Sequence, residues 1–179
     1  MKSAGNRALV EADLTRRWQT PGWYVQPRGR VNLAQYRTDS ATGSTVQASR
    51  SVPTLSVDSG LVFERGTSWF GRDYVQTLEP RAFATWTPFR NQSALPNYDS
   101  GAPDFSLSSM YFENAFTGYD RVSDTKAVTL GVSSRLINPV NGAEVVRVGV
   151  AQRALLADQK VTLPGGTAVT ERLGDLLVS

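Results

Sequence analysis

The chain has no cysteine and no histidine among its 179 residues. The first absence excludes a disulfide framework, and the two together exclude a Cys/His zinc site. Without histidine, neither a Ser-His-Asp nor a Cys-His catalytic system can be built from this chain. No run approaches the roughly 18 apolar residues of a membrane helix. That is no argument against a β-barrel, whose strands carry a much weaker signal per segment. A dominant charge is lacking too: 19 Lys+Arg stand against 16 Asp+Glu, a net +3. This mildly basic balance permits an anionic partner without demanding one. With 40% hydrophobic and 20% charged residues, the chain is composed like an ordered domain.

What is present is a period of two rather than 3.6. Ala8, Val10, Ala12, Leu14 and Trp18 alternate with Glu11, Asp13, Thr15 and Arg17, and Thr20-Pro21-Gly22 reads as a turn. Trp23, Val25, Pro27, Val31 and Leu33 then lie opposite Tyr24, Gln26, Arg28, Arg30 and Asn32. Pro27 cannot donate to a ladder, so an irregular point or bulge is expected there. The polar stretch Arg37 to Ser51 reads as a loop. A third strand sets Leu55, Val57, Leu61 and Phe63 against Thr54, Ser56, Asp58 and Glu64, with a turn expected at Arg65-Gly66-Thr67. A fourth, about Tyr74 to Phe89, sets Leu78, Pro80, Ala82, Ala84 and Trp86 against Thr77, Glu79, Arg81, Thr85 and Thr87, with Phe83 filling space inside. Arg90 to Ser123 lacks alternation, and so long a connection is usually functional. Val128, Leu130, Val132 and Leu136 mark a fifth strand, and Val146, Val148 and Val150 a sixth. A hairpin at Asn138 to Gly142 joins them. The tail, 154–179, is read as barrel loop and strand, and 1–153 as part of one barrel.

Alternating runs of 10 to 15 residues exceed the usual globular strand of about 5 to 6 and suit a tilted membrane strand of about 9 to 11. Short and long connections are expected to alternate, as on the two sides of an outer-membrane barrel. The polar face is charged, and a charge facing lipid at mid-depth costs about 2 to 4 kcal/mol. Arg28, Arg30, Asp58, Glu79, Arg81, Arg135 and Arg147 are therefore expected to face a wet lumen. Val25, Val31, Leu33, Leu78, Ala82, Val128, Leu130, Val132, Val146 and Val148 are expected to face lipid. Trp18, Trp23, Tyr36, Trp69, Tyr74 and Trp86 fall near strand ends, where an interfacial girdle sits. The fold expected is all-β: an antiparallel transmembrane β-barrel fragment of about six long strands in a curved open sheet. Fewer than eight strands leave edges that hydrocarbon forbids. Met1 to Asn6 carries no apolar signal core. Both features lead to the expectation of an excerpt from a longer exported chain.

Several motifs are linked in order along the chain: Leu55 to Glu64 (LSVDSGLVFE), Thr77-Leu78-Glu79-Pro80-Arg81, Phe89-Arg90-Asn91-Gln92-Ser93 and Leu95-Pro96-Asn97-Tyr98-Asp99-Ser100. Glu113-Asn114, Phe116 to Arg121 and Leu130 to Leu136 follow. Together, over roughly Leu55 to Arg153, they resemble in order and spacing the LptD family of lipopolysaccharide-assembly proteins. Ala115, Thr125-Lys126 and Ala154-Leu155-Leu156 depart from the family's pattern. The resemblance implies an outer-membrane barrel that receives lipopolysaccharide from a periplasmic bridge, through an N-terminal domain outside this chain. It implies a lipoprotein of the LptE type seated in the lumen, no catalytic group, no cofactor and no metal.

Three rival readings use the same residues. A soluble β-sandwich carbohydrate-binding module shares the strands and exposed aromatics. A paired-carboxylate enzyme would set Glu79 with Asp104 or Glu113. A single-stranded nucleic-acid site would use Arg28, Arg30, Tyr24 and Tyr36. In the long connection, Leu95, Phe105, Leu107, Met110, Tyr111, Phe112 and Phe116 are more apolar than a solvated loop needs, so they are expected to bury against something.

Overall fold

The computed structural model describes residues 5–39, 45–174 and 176–178. Among the described residues nine strands follow in order: β1 (Gly5–Thr15), β2 (Trp18–Thr20), β3 (Trp23–Asp39), β4 (Thr45–Leu61), β5 (Phe63–Trp69), β6 (Arg72–Trp86), β7 (Lys126–Ile137), β8 (Glu144–Leu155) and β9 (Leu177–Val178). They form one antiparallel sheet in the order β1-β3-β4-β6-β7-β8-β9, with β2 beside β3 and β5 beside β6. The sheet is open and curved. It is a single layer of strands rather than the two packed sheets of a sandwich.

The nine segments trace six long strands and the two-residue β9, because β1–β2 and β4–β5 are each one strand with a break. The breaks have a chemical cause. Thr15 pairs with Arg28 and Trp18 with Val25, so the ladder lapses opposite Gln26 and Pro27. Gly60 pairs with Arg81 and Phe63 with Leu78, so the second lapse falls opposite Glu79 and Pro80. At each lapse a proline lacks the N–H that a ladder would use. The irregularity expected at Pro27 therefore appears in its neighbour, while β3 itself pairs with β4 without interruption from Trp23 to Asp39.

Two expected connections are corrected. Arg37 to Ser51 is mostly strand: β3 runs to Asp39 and β4 starts at Thr45, with Arg37 opposite Gln47. Its Ser/Thr-rich composition is tolerated because the strand bonds are made by backbone. Residues 40–44 of that segment lie outside the described ones. Arg65-Gly66-Thr67 is not a turn but lies within β5. The turn is Phe70-Gly71, where both residues take positive φ, 49° and 72°, between paired Trp69 and Arg72. That is the two-residue primed turn whose twist matches a right-handed hairpin. Three short turns, at Pro21-Gly22, Phe70-Gly71 and Asn138 to Ala143, share one end of the sheet. The irregular segment 87–125 and the start of the tail share the other.

Side-chain parity sorts the faces. Asn32, Ala34 and Tyr36 on β3, Arg50, Val52, Thr54 and Ser56 on β4, and Ala127 and Thr129 on β7 are buried. Their neighbours Val31, Leu33, Leu55, Val57 and Leu130 are exposed. What buries the first set is segment 87–125, laid across one face. This inner face holds the core, while the outer face is bare. The outer apolar run on β3, Trp23 to Leu33, spans about 34 Å along the strand, or about 25 Å in height at a barrel-like tilt.

Candidate functional site

Segment 87–125 forms a strap over the inner face, irregular except for a 3-10 turn at Ser109–Tyr111. Two short stretches of the strap clasp each other reciprocally. The Asp99 carboxylate accepts from the Tyr119 and Asp120 amides, and Ser100 Oγ from the Asp120 and Arg121 amides. In return Asp120 Oδ2 accepts from the amides of Tyr98 (2.6 Å) and Asp99 (2.9 Å). Gly118 makes the close approach possible: its φ is 72° and a Cβ there would lie 2.4 Å from the Asp99 carbonyl oxygen. Burial pushes the Asp99 carboxyl up, but hydrogen bonds from Arg7 and from the Tyr119 amide outweigh it and hold it at about 2. Burial lowers the Arg121 guanidinium, which donates to the Leu95 and Pro96 carbonyls.

The clasp is seated on the sheet through Asp120, whose side chain is fully buried. Its Oδ1 accepts from Arg7 on β1 (2.8 Å) and from the Tyr36 hydroxyl on β3 (2.9 Å). Arg50 on β4 donates to the Asp120 and Tyr119 carbonyls and to the side chains of Gln92 and Asn32. Ala34, Tyr36 and Leu95 close a small apolar cluster beside this hub. Tyr36 therefore belongs to the seat rather than to an exposed girdle. Trp18, Trp23, Trp69 and Trp86 are exposed.

A second seat lies nearer the short-turn end. Tyr24, Gly60, Arg81 and Gly131 lie in one cross-strand row. The Tyr24 ring covers Gly60, and a Cβ at Gly131 would fall 2.0 Å from the Tyr111 hydroxyl. Arg81 stands between the two glycines, held by both oxygens of Asp58 and stacked 4.0 Å from the Tyr111 ring centroid. Phe83, as the pattern foretold, fills space inside, edge-on to Tyr111. Thr129 on β7 and Arg153 on β8 both donate to the Met110 carbonyl.

The charges singled out from the sequence lie on this same face as a ladder of pairs. Arg28 meets Asp13, Arg30 meets Glu11 and Glu113, Arg81 meets Asp58, and Arg135 meets Glu79. Arg147 pairs with Glu144, which also reaches Arg135. Val25, Val31, Leu33, Leu78, Ala82, Val128, Leu130, Val132, Val146 and Val148 take the opposite parity, on the bare face. Between strap and ladder lies a cavity of about 330 Å³ lined by Arg28, Arg30, Arg81, Tyr111, Phe112 and Glu113, among others.

Several residues of the rival sites are engaged in these contacts. Glu79 is engaged by Arg135 and Thr77, and Glu113 by Ser56 and Arg30. Of the basic-aromatic strip, Tyr36 is buried and Arg28 and Arg30 are paired. Of the strap's apolar residues, Leu95 and Met110 are buried, whereas Phe105 and Phe112 stay 65% and 46% exposed within this chain. Arg7 and Arg50 were not singled out from the sequence. Asp120 and Arg121 entered only as the end of the motif Phe116 to Arg121, without a role.

The family profile described as "LptD: LPS transport system D" matches residues 1–179. The chain belongs to the LptD family. It is 52% identical over 174 residues to the LPS-assembly protein LptD of Polaromonas sp. strain JS666, covering 97% of this chain and 21% of that protein. The LPS-assembly protein LptD of Albidiferax ferrireducens is 53% identical over 174 residues, 96% of this chain and 22% of that protein. That of Ralstonia nicotianae is 43% identical over 180 residues, 97% of this chain and 22% of that protein. The chain thus spans about a fifth of the length of the LptD relatives it matches.

Proposed function

We propose that this chain is an arc of the wall of an outer-membrane β-barrel that delivers lipopolysaccharide to the outer leaflet, and that it is non-catalytic. The observation that carries the reading is the opposition of the two faces. The outer face offers hydrocarbon a bare aliphatic band of about bilayer height. The inner face carries paired charges of both signs, which belong against water. In this reading the ten aliphatic residues of the outer set face lipid, and Arg28, Arg30, Asp58, Glu79, Arg81, Arg135 and Arg147 face the lumen. The strap end is extracellular and the short turns are periplasmic, following the usual asymmetry of such barrels. Family membership supports lipopolysaccharide as the cargo. The exposed faces of Phe105 and Phe112 offer apolar surface to a lipoprotein of the LptE type in the lumen. The periplasmic bridge engages a part of the protein outside this chain.

The test is deletion of Ser100 to Thr117 in the full-length protein. The expected result is weaker assembly with the lipoprotein and an outer membrane that admits large antibiotics. Normal complex formation with an intact barrier would defeat the reading.

A further inference from the structure

We propose that the strap is a fixed part of the lumen wall, seated throughout the transport cycle, and that Asp120 and Arg50 are the positioning residues that seat it. This rests on the reading above. A segment of 39 residues with no regular structure beyond one 3-10 turn is ordinarily a candidate gate. Mobile loops are drawn from the least stable parts of a fold, with few buried contacts and solvent-exposed backbone bonds. The strap has the opposite character. Its amides at Tyr98, Asp99, Tyr119, Asp120 and Arg121 are satisfied by side chains of the strap itself. Its attachments reach every long strand: Arg7, Tyr36, Arg50, Arg81, Thr129 and Arg153, one from each.

Lifting it would strip partners from Arg50, which is 5% exposed, and from Asp120, which is 0% exposed. Buried charges left without partners are among the costliest defects a fold can carry. The attachments also join β1 to β8 through a body other than the ladder. The six strands therefore move as one piece, and any opening of the barrel wall falls beyond β1 or beyond β8. Substrate passes the strap without displacing it.

Two measurements on the full-length protein in its assembled complex test this. In hydrogen exchange, the amides of Tyr98, Asp99, Tyr119 and Asp120 are expected to exchange as slowly as those of β7. Asp120→Ala is expected to release the strap amides while Leu130 to Val132 keep their protection. Fast exchange in the unaltered protein, or strap exchange unmoved by Asp120→Ala, would overturn the proposal. In the second, Ser56→Cys and Glu113→Cys, whose native side chains meet at 2.6 Å, are joined by a short reducible bifunctional thiosulfonate. Lipopolysaccharide delivery is expected to be the same joined and cleaved. Delivery lost while joined and restored by reductant would identify the strap as a gate and overturn the inference, leaving the transport reading intact. Delivery indifferent to removal of the whole strap would count against the transport reading instead.

Discussion

At the scale of the residue, most of the organisation hangs on a few polar groups that meet from distant points of the chain. Asp120, itself fully buried, takes Arg7 and Tyr36 from two strands and two amides from its own segment. Asp120→Ala leaves the Tyr36 hydroxyl without its acceptor and the Arg7 guanidinium with Asp99 alone. Breaking a fully buried charge pair costs about 3 to 5 kcal/mol; with Arg7 28% exposed and still paired, a loss below that range is expected in urea unfolding from lipid vesicles. Gly131→Ala sets a methyl where the Tyr111 hydroxyl lies, and overpacking of this kind costs about 1 to 3 kcal/mol. Tyr111→Phe is expected to recover part of that loss, and a double-mutant cycle measures the coupling. The recovery is incomplete because the new Cβ also meets Ala151 Cβ at 2.9 Å.

Asp99 adds a pH dependence. Its folded carboxyl sits at about 2, below the ordinary 3.8. The unfolded chain therefore binds the proton more readily, so this contribution is fully present above about pH 4 and is lost as pH falls toward 2. Pepsin, active in that window, is expected to cut the strap increasingly from pH 4 to 2. In Asp99→Asn the strap is expected to be cut at both values. A flat profile in the unaltered protein would remove Asp99 from the clasp.

At the scale of the element, parity was legible and chain ends were not. Alternation along β3, β6, β7 and β8 assigns each side chain to the face it occupies, because a strand with one apolar face cannot slip by one residue. The outer ends of β3 and β4 escaped detection because Gln35, Arg37, Gln47 and Ser49 do not alternate apolar with polar. Beyond the apolar band nothing requires alternation. The Phe70-Gly71 turn escaped because its first residue is aromatic, not the Asn or Asp usual there. The strap was recognised as a long connection, but not its seat. Arg7, Tyr36 and Arg50 lie 113, 84 and 70 positions from Asp120, and no local pattern links them. Asn, Asp and Ser in the strap read as solvated, although much of their polarity is spent on its own amides. The outer face of β7 gives this scale its prediction. Leu130→Arg, set among Val128 and Val132, is expected to cost about 2 to 4 kcal/mol, while Ser133→Arg on the inner face costs far less. Equal costs would mean that the two faces see the same medium.

At the scale of the whole molecule, the six strands, the strap and the charge ladder form one curved wall with a bare aliphatic side and an ionic side. Membership of the LptD family supplies the setting in which such a wall is useful. On the proposed reading the apolar surface faces lipid, which accounts for a sheet that neither folds into a sandwich nor buries its outer face. The most direct test places single cysteines along β7, at Leu130, Val132, Ser133 and Arg135, in the full-length protein in the outer membrane. Each is then exposed to a membrane-impermeant, water-borne thiol reagent. Ser133 and Arg135 lie on the inner face; Leu130 and Val132 lie on the outer. Gly131, covered by Tyr111, is left unaltered. The account predicts reaction at Ser133 and Arg135 and none at Leu130 and Val132. Equal labelling at Leu130 and Ser133 would contradict it.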